Sequence, residues 1–74
     1  MNFANAIKLL QQGLKVGRAV WQGEEKIYLK QVKFNGFKPC LVQYNVLNGA
    51  AHQYPGAALD WDDMTAIDWE VMDN

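Results

Sequence analysis

The chain has 74 residues, a net charge of −1 and a single cysteine, Cys40. We expect a chain of this length to form one domain with a small hydrophobic core, which association between subunits would stabilise. One cysteine excludes an intramolecular disulfide and a zinc site built from several cysteines, and the near-neutral charge argues against general binding of nucleic acid polymers. Without an 18-residue apolar segment or a signal-type N-terminus, we expect a cytoplasmic protein with no membrane contact.

The charged residues are segregated along the chain. Residues 1–38 hold all seven Lys and Arg residues and two Glu, a balance of +5, whereas residues 39–74 hold six acidic residues and no Lys or Arg, a balance of −6. Two interpretations stay open. The halves attract each other within the fold or between subunits, or the basic residues form a local pocket for a small anion.

The N-terminal segment has the periodicity of an amphipathic helix. Its apolar residues follow the i, i+3, i+4 spacing of one helical face, which predicts a helix that packs on a sheet or on another subunit. Asn2 is suited to cap the first amides, and Gly13 to end the helix in the left-handed conformation. The predicted apolar stripe consists of Phe3, Ala6, Ile7, Leu10 and Leu14.

The segment "KVGRAVW", which ends at Trp21, alternates in the manner of a β-strand. Because successive side chains of a strand point to opposite faces, Arg18 and Trp21 are expected on opposite faces unless the strand twists or ends.

Two Asn-Gly pairs predict β-hairpins in the middle of the chain. Asn35-Gly36 separates "KIYLKQVKF" from "FKPCLVQY", and Asn48-Gly49 separates "LVQYNVL" from the shorter "AAHQY". Both residues of such a pair tolerate the positive φ of a tight hairpin turn. Pro39 cannot donate to a strand ladder, so its strand lies at an edge there or begins after it.

The C-terminal segment combines a helix start with a final strand. Asp60 is predicted to cap a short helical turn through about Ile67, followed by a strand near Trp69 to Met72. Trp69 is expected in the core, with Ile67 and Val71 on its side of the strand. The predicted fold is a single α+β domain over residues 1–74, in which an N-terminal amphipathic helix packs on a small, mostly antiparallel sheet of four to five strands, with a short helical turn before the last strand.

The residue inventory argues against an enzyme. The chain has no serine and one histidine, His52, so a Ser-His-Asp triad is impossible. The acidic residues lack the spacing of a calcium loop, and we expect no catalytic residues, no metal and no cofactor. The aromatic and amide side chains are suited to stack on a nucleobase and to bind its edges, although a Trp in so small a domain is first of all a candidate for the core.

Two motifs resemble a known family. The N-terminal pattern "MNF..AI..L..G.KV.R..W.G" and the C-terminal "DMTAIDWEV" resemble the second Thoeris anti-defence family of small phage proteins. Met64 and Thr65 replace the two leucines of the C-terminal family motif, and the middle of the chain resembles the family less. The matching positions are Arg18 and Trp21 in the Arg-x-x-Trp motif and Asp63, Ala66, Asp68 and Trp69 in the C-terminal motif.

The resemblance implies a non-enzymatic sponge. Members of that family form homotetramers that sequester cyclic ADP-ribose-type signals of bacterial Thoeris systems, and some bind cyclic dinucleotides of CBASS systems. The expected partners are therefore a cyclic nucleotide and further copies of the chain, in the cytoplasm of the infected host. The alternatives are an inhibitor that binds a host defence protein directly and, less favoured, a hydrolase of the signal.

The candidate ligand-binding residues follow from what a cyclic nucleotide requires. Pyrophosphate needs cationic donors, an adenine needs a flat apolar surface, and ribose hydroxyls need small polar groups. If Arg18 and Trp21 face opposite ways, their pocket is completed by a neighbouring subunit or by a twisted strand end. The candidates are Arg18 aided by Lys15 or Lys30 for the phosphates, Trp21 for the base, Asn5, Gln22, Asp63 and Thr65 for the ribose, and Tyr28 from the aromatic set.

Overall fold

A computed structural model of the protein describes residues 1–23, 25–33, 38–57 and 59–72, and these residues form the predicted α+β fold. A helix packs on a five-stranded sheet, and a second, short helix precedes the last strand. None of the helices within these ranges is long and apolar enough to cross a membrane. The elements are α1 (Phe3–Gln11), β1 (Val16–Arg18), a 3-10 turn (Ala19–Trp21), β2 (Lys26–Val32), β3 (Cys40–Leu47), β4 (Ala50–Pro55), α2 (Trp61–Thr65) and β5 (Trp69–Val71).

The sheet has the strand order β4-β3-β2-β1-β5, and every strand pair is antiparallel. Asn48 and Gly49 have φ values of 52° and 79° and join β3 to β4, which confirms the second predicted hairpin. The other predicted turn, Asn35-Gly36, lies outside the described residues. Strand β3 begins at Cys40, directly after Pro39, as expected of a residue that cannot donate to the ladder.

Helix α1 begins and ends where the sequence predicts. The Asn2 side chain accepts a hydrogen bond from the backbone N–H of Asn5 at 2.9 Å, and Gly13 has a φ of 88°. Its apolar face is narrower than the predicted stripe, since Ile7 and Leu14 remain 39% and 40% exposed. The helix therefore buries Ala6 and Leu10, and Ile7 between them lies at the surface.

The core lies between α1 and one face of the sheet. Trp69 is its largest side chain, contacts the Phe3 ring at a centroid distance of 5.1 Å and is 1% exposed, which confirms its predicted role. Burial of such apolar side chains contributes about 1.5–3 kcal/mol each to folding. The fully buried members of this cluster are Ala6, Leu10, Val16, Leu29 and Trp69.

The helical turn before β5 is shorter than predicted. Ala66 leaves the helical conformation with a ψ of 153°, so α2 ends at Thr65 rather than near Ile67. Ile67 lies in the bend between α2 and β5 and is 81% exposed. Its predicted place on the core side of the last strand was wrong, because β5 begins only at Trp69.

The sheet has a second face, turned away from α1. Leu29 points toward α1 as part of the core, so its neighbours Tyr28 and Lys30 point to the opposite side. Paired residues of antiparallel strands share a face, which places Tyr44 beside Tyr28 and Val46 beside Lys26. The name "second face" is used below for the side that carries these residues.

Candidate functional site

A concave pocket of about 650 Å³ is formed by the second face of the sheet and the chain around it. Its volume lies within the range of small-molecule sites. A smaller pocket of about 240 Å³ lies where α1 meets the ends of β2 and β3, but its lining has no charged side chain that could bind a phosphate. The larger pocket is lined by Lys15, Gln22, Lys26, Tyr28, Val46, Glu70 and Met72.

Among the described residues, the lining of the larger pocket carries two ammonium groups and one carboxylate. Lys15 directly precedes β1, and its Nζ atom lies 5.0 Å from the centre of the Tyr28 ring, within the range of a cation–π contact. Lys26 is the first residue of β2, two positions before Tyr28 and on the same face. Glu70 of β5 supplies the negative charge. The pocket can therefore bind an anion while retaining one acceptor for hydroxyl groups.

A stacked pair of tyrosines forms the aromatic part of the second face. Tyr28 and Tyr44 are directly opposite in the β2–β3 register, and their rings stack at 5.0 Å with an interplanar angle of 13°. Burial raises the pKa of the Tyr28 hydroxyl, and the neighbouring Tyr44 adds to the effect. The phenol is therefore neutral at physiological pH and can donate a hydrogen bond.

Gln22 fixes the wall of the pocket. Its Nε2 donates to the backbone oxygens of Arg18 and Ile27, both at 3.0 Å, and thereby ties the 3-10 turn to β2. Gly17 lies next to these two hydrogen bonds, and a Cβ atom at this position would be 2.8 Å from the Ile27 oxygen. Among the described residues the Gln22 Oε1 atom is buried without a hydrogen-bond partner. The two donor bonds show that the Gln22 amide positions the backbone.

Arg18 forms ion pairs with two aspartates of the C-terminal motif. Its Nε donates to Asp68 Oδ1 and its Nη1 to Asp63 Oδ1, both at 2.8 Å, with 16% of the Arg18 side chain exposed. These pairs join the basic and acidic halves of the chain, as the first interpretation of the charge pattern predicts. Arg18 does not line the larger pocket, and its predicted role in phosphate binding stays a prediction.

The Arg18 cluster shifts the pKa values of all three groups toward their charged forms. The hydrogen bonds to Asp68 and Asp63 raise the pKa of the Arg18 guanidinium. The bond from Arg18 lowers the pKa of Asp68, with a backbone bond from Val20 assisting. Burial alone would raise the pKa of Asp63, but hydrogen bonds from Arg18 and Asp60 outweigh it and leave that pKa below its ordinary value.

The predicted strand through Trp21 ends at Arg18, which corrects that part of the sequence prediction. Asp68 redirects the chain, since its backbone oxygen accepts from the Ala19 N–H at 3.1 Å and its Oδ2 accepts from the Val20 N–H at 3.3 Å. The following 3-10 turn brings Trp21 edge-on to Trp69, with ring centroids 5.2 Å apart. Trp21 is half-buried and packs against the core, and it does not line the larger pocket. Its removal therefore affects the fold, and its predicted stacking on a base stays a prediction.

The remaining predicted ligand residues do not line the larger pocket. Asn5 is exposed on α1, and Asp63 is engaged by Arg18 and by the α2 capping box with Asp60. The Thr65 hydroxyl donates to the Trp61 backbone oxygen at 2.8 Å. Ligand binding by Asn5, Asp63 and Thr65 stays a prediction.

Of the predicted site residues, the structure brings Tyr28 and Gln22 together at the pocket, with Lys15 beside them. Sequence reasoning missed Lys26 and Glu70. The period-2 alternation of β2 contained a signal for Lys26, because it shares a face with Tyr28. No local signal marked Glu70, which reaches the pocket through the pairing of β5 with β1.

Comparison with known proteins identifies the family of the chain. The family model described as Tad2-like, Thoeris anti-defense 2-like domain, matches residues 1–72 and supports a role in phage anti-defence. No curated protein and no solved structure shows a significant match. The match covers both motifs and nearly the full sequence, and the chain therefore belongs to the Thoeris anti-defense 2-like family.

Proposed function

We propose that this protein is a sponge that binds and sequesters a cyclic nucleotide immune signal of the cyclic ADP-ribose type without cleaving it. The observation that carries the proposal is the larger pocket, in which lysines and an aromatic side chain line one cavity of about 650 Å³. A captured signal no longer reaches its effector, so the defence is blocked although no bond of the signal is broken. Cyclic dinucleotides have the same components and are the second ligand class to test.

The charges of the pocket suit the phosphates. Pyrophosphate carries two negative charges, and hydrogen bonds to charged donors are stronger than those between neutral groups. Lys15 and Lys26 both line the larger pocket and can supply such donors, whereas Arg18 does not line it. We therefore assign the phosphates to the two lysines.

The rest of the lining suits the nucleoside. Val46, Met72 and the Tyr28 ring give apolar contact to a base, and the Tyr28 hydroxyl and Glu70 can bind ribose hydroxyls. A sponge must compete with the effector for its signal, so we expect nanomolar affinity, about −12 kcal/mol. The predicted homotetramer and the host cytoplasm as its location belong to the same proposal.

The positions of His52 and Cys40 support binding without cleavage by either residue. His52 lies on β4 and Cys40 begins β3, and neither lines the larger pocket. The chain has no serine and no other histidine or cysteine. A nucleophile or general base of these residue types is therefore not available beside a ligand in this pocket.

The test combines capture with recovery of the ligand. Purified protein is mixed with the product of an activated Thoeris TIR-domain protein, separated from free nucleotide and heat-denatured, and the released compound is analysed by mass spectrometry. Recovery of the intact cyclic nucleotide supports the sponge. Recovery of linear product shows hydrolysis, and the absence of any nucleotide contradicts the proposal.

A matched pair of double variants locates the site. We expect Lys15→Gln with Lys26→Gln to weaken binding at least tenfold and to reduce its salt dependence, because each lost charged hydrogen bond costs about 1.5–3 kcal/mol. The control is Lys8→Gln with Lys33→Gln, which changes net charge equally at two exposed lysines outside the pocket. Equal affinities of the two variants would show that Lys15 and Lys26 do not bind the ligand.

A second candidate function is direct binding to a host protein. Trp61, Ile67 and Val20 are 74%, 81% and 70% exposed, which is unusual for large apolar side chains and is typical of protein contacts. This function predicts that Trp61→Ser abolishes anti-defence activity in infected cells while nucleotide capture is unchanged. A sponge acting alone predicts that the variant retains both activities.

A further inference from the structure

We propose that two copies of this chain pair through the free edge of β4, which joins their sheets into one continuous antiparallel sheet. The proposal concerns β4 (Ala50–Pro55) and a second copy of the same strand, and it does not depend on what the larger pocket binds. Strand β4 is the last strand of the sheet order on its side, and all six of its residues are exposed.

The hydrogen-bonding direction of β4 follows from the hairpin register. Leu47 and Ala50 flank the two-residue turn and are a directly opposed pair. Farther along, the Gly56 N–H donates to the Leu41 oxygen at 2.9 Å, so the even-numbered residues direct their backbone groups toward β3. Hydrogen-bonded and non-hydrogen-bonded positions alternate along an antiparallel pair. Ala51 and Gln53 therefore direct both their N–H and C=O groups away from the sheet.

Pro55 fits the same alternation. It belongs to the outward-directed set with Ala51 and Gln53, at the end of the strand, where the absence of an N–H costs no bond to β3. In the centre of this edge, Ala51 and Gln53 thus each direct one backbone N–H donor and one C=O acceptor outward. A second β-strand is the partner whose backbone groups match this spacing.

The centre of β4 lacks the features that normally protect an edge strand. Protected edges carry Lys or other charges, Pro, bulges or very short strands, whereas "AAHQYP" contains no Lys, Arg, Asp or Glu, and its one proline, Pro55, lies at the end of the strand. The opposite edge, β5, has only three residues and includes Glu70. Strand β4 is thus the edge of this sheet that is suited to accept another strand.

The occupant we infer is a second copy, because β4 is complementary to itself. About a two-fold axis at His52, Ala51 lies opposite Gln53 of the partner subunit and Gln53 opposite Ala51 of the partner subunit. All outward N–H groups of the two strand centres are then paired, no Lys, Arg, Asp or Glu side chains are opposed, and His52 lies opposite His52 of the partner subunit at the axis. Leu47 and Tyr54, which are 44% and 52% exposed, lie on the same side of the sheet. Both side chains become less exposed to solvent in this arrangement. A domain with so small a core benefits from that added burial.

The test replaces the outward N–H without removing a bond inside the subunit. Gln53→Pro deletes a donor that points away from β3, and Pro55 shows that the same edge holds a proline. We expect the mass measured by native mass spectrometry and light scattering to fall to half of the wild-type assembly, with an unchanged circular dichroism spectrum. Gln53→Thr is the matched control and retains the wild-type mass.

Ala51→Lys gives a second, independent test, since it places two like charges near the proposed axis and leaves every backbone bond in place. If Gln53→Pro fails to fold, the mass of the Ala51→Lys variant alone decides whether the β4 interface forms. Wild-type mass in Ala51→Lys, or a monomeric wild-type protein at the concentrations used, overturns the proposal. Nucleotide capture is measured on the same samples, so failure of the sponge and failure of the β4 interface are recorded separately.

Discussion

The contact between β1 and β2 at Gly17 gives a prediction that tests the geometry of the pocket wall. A Cβ atom at this position would lie 2.8 Å from the Ile27 backbone oxygen, 3.1 Å from Gln22 Nε2 and 3.3 Å from Met72 Cγ. The first neighbour is backbone and cannot move without shifting β2. Gly17→Ala therefore forces the strands apart, and overpacking of this kind costs about 1–3 kcal/mol.

Thermal unfolding followed by circular dichroism measures this cost. A domain of this size loses about 4–8 °C of Tm for each kcal/mol, so we expect a decrease of at least about 4 °C. Gly23→Ala is the matched control, because a Cβ atom there has nothing within 4 Å. We expect the control to stay within about 0.5 kcal/mol of the wild type. Equal Tm values for the two variants would refute the close approach of β1 to β2.

Two further predictions concern the C-terminal motif. The pKa values of Asp63 and Asp68 in the folded protein lie below the ordinary Asp value of 3.8. As the pH falls below 3.8, the unfolded state therefore binds more protons than the folded state. The stability that these two carboxylates contribute above that pH is then lost. Urea unfolding at neutral pH and at about pH 3 should show this loss, and Asp68→Asn should make it smaller; an identical pH dependence in the variant would contradict the role of the ion pair. Asp60→Ala removes the side chain that accepts the Asp63 N–H at 3.0 Å and should cost about 1 kcal/mol in unfolding free energy, whereas Asp62→Ala, at an exposed position of the same turn, should cost less.

The elements that the sequence predicts well are those with a local physical cause. The α1 boundaries follow from the cap at Asn2 and the left-handed Gly13, and the β3–β4 hairpin follows from Asn48-Gly49. In each case a few neighbouring residues determine the backbone conformation. The core position of Trp69 also agrees with the simple alternation of the last strand.

The features that the sequence did not predict depend on contacts between distant residues. The end of β1 at Arg18 is caused by hydrogen bonds from the turn to Asp68, fifty positions away. Periodicity within "KVGRAVW" carries no information about that contact. The same holds for Glu70, whose place at the larger pocket results from the β1–β5 pairing.

The two family motifs together form one structural unit. Arg18 bonds Asp63 and Asp68, and Trp21 packs on Trp69, so the Arg-x-x-Trp and C-terminal motifs fix each other. The Trp69 indole N–H completes the unit by donating to the Asp63 backbone oxygen at 2.9 Å. These contacts give residues of both motifs a structural role that does not require any of them to touch a ligand.

The unit formed by the two motifs supports the larger pocket, but most residues that line the pocket lie outside that unit. Lys26 and Tyr28 lie on β2, outside both motifs, whereas Gln22 ties the end of the Arg-x-x-Trp segment to β2. A change at Lys26 or Tyr28 can thus alter ligand choice while the ion pairs and the Trp21–Trp69 contact hold the scaffold. Substitution of Arg18 would instead disturb the turn that carries Gln22. Loss of binding in an Arg18 variant therefore requires a stability measurement before it is read as loss of a ligand contact.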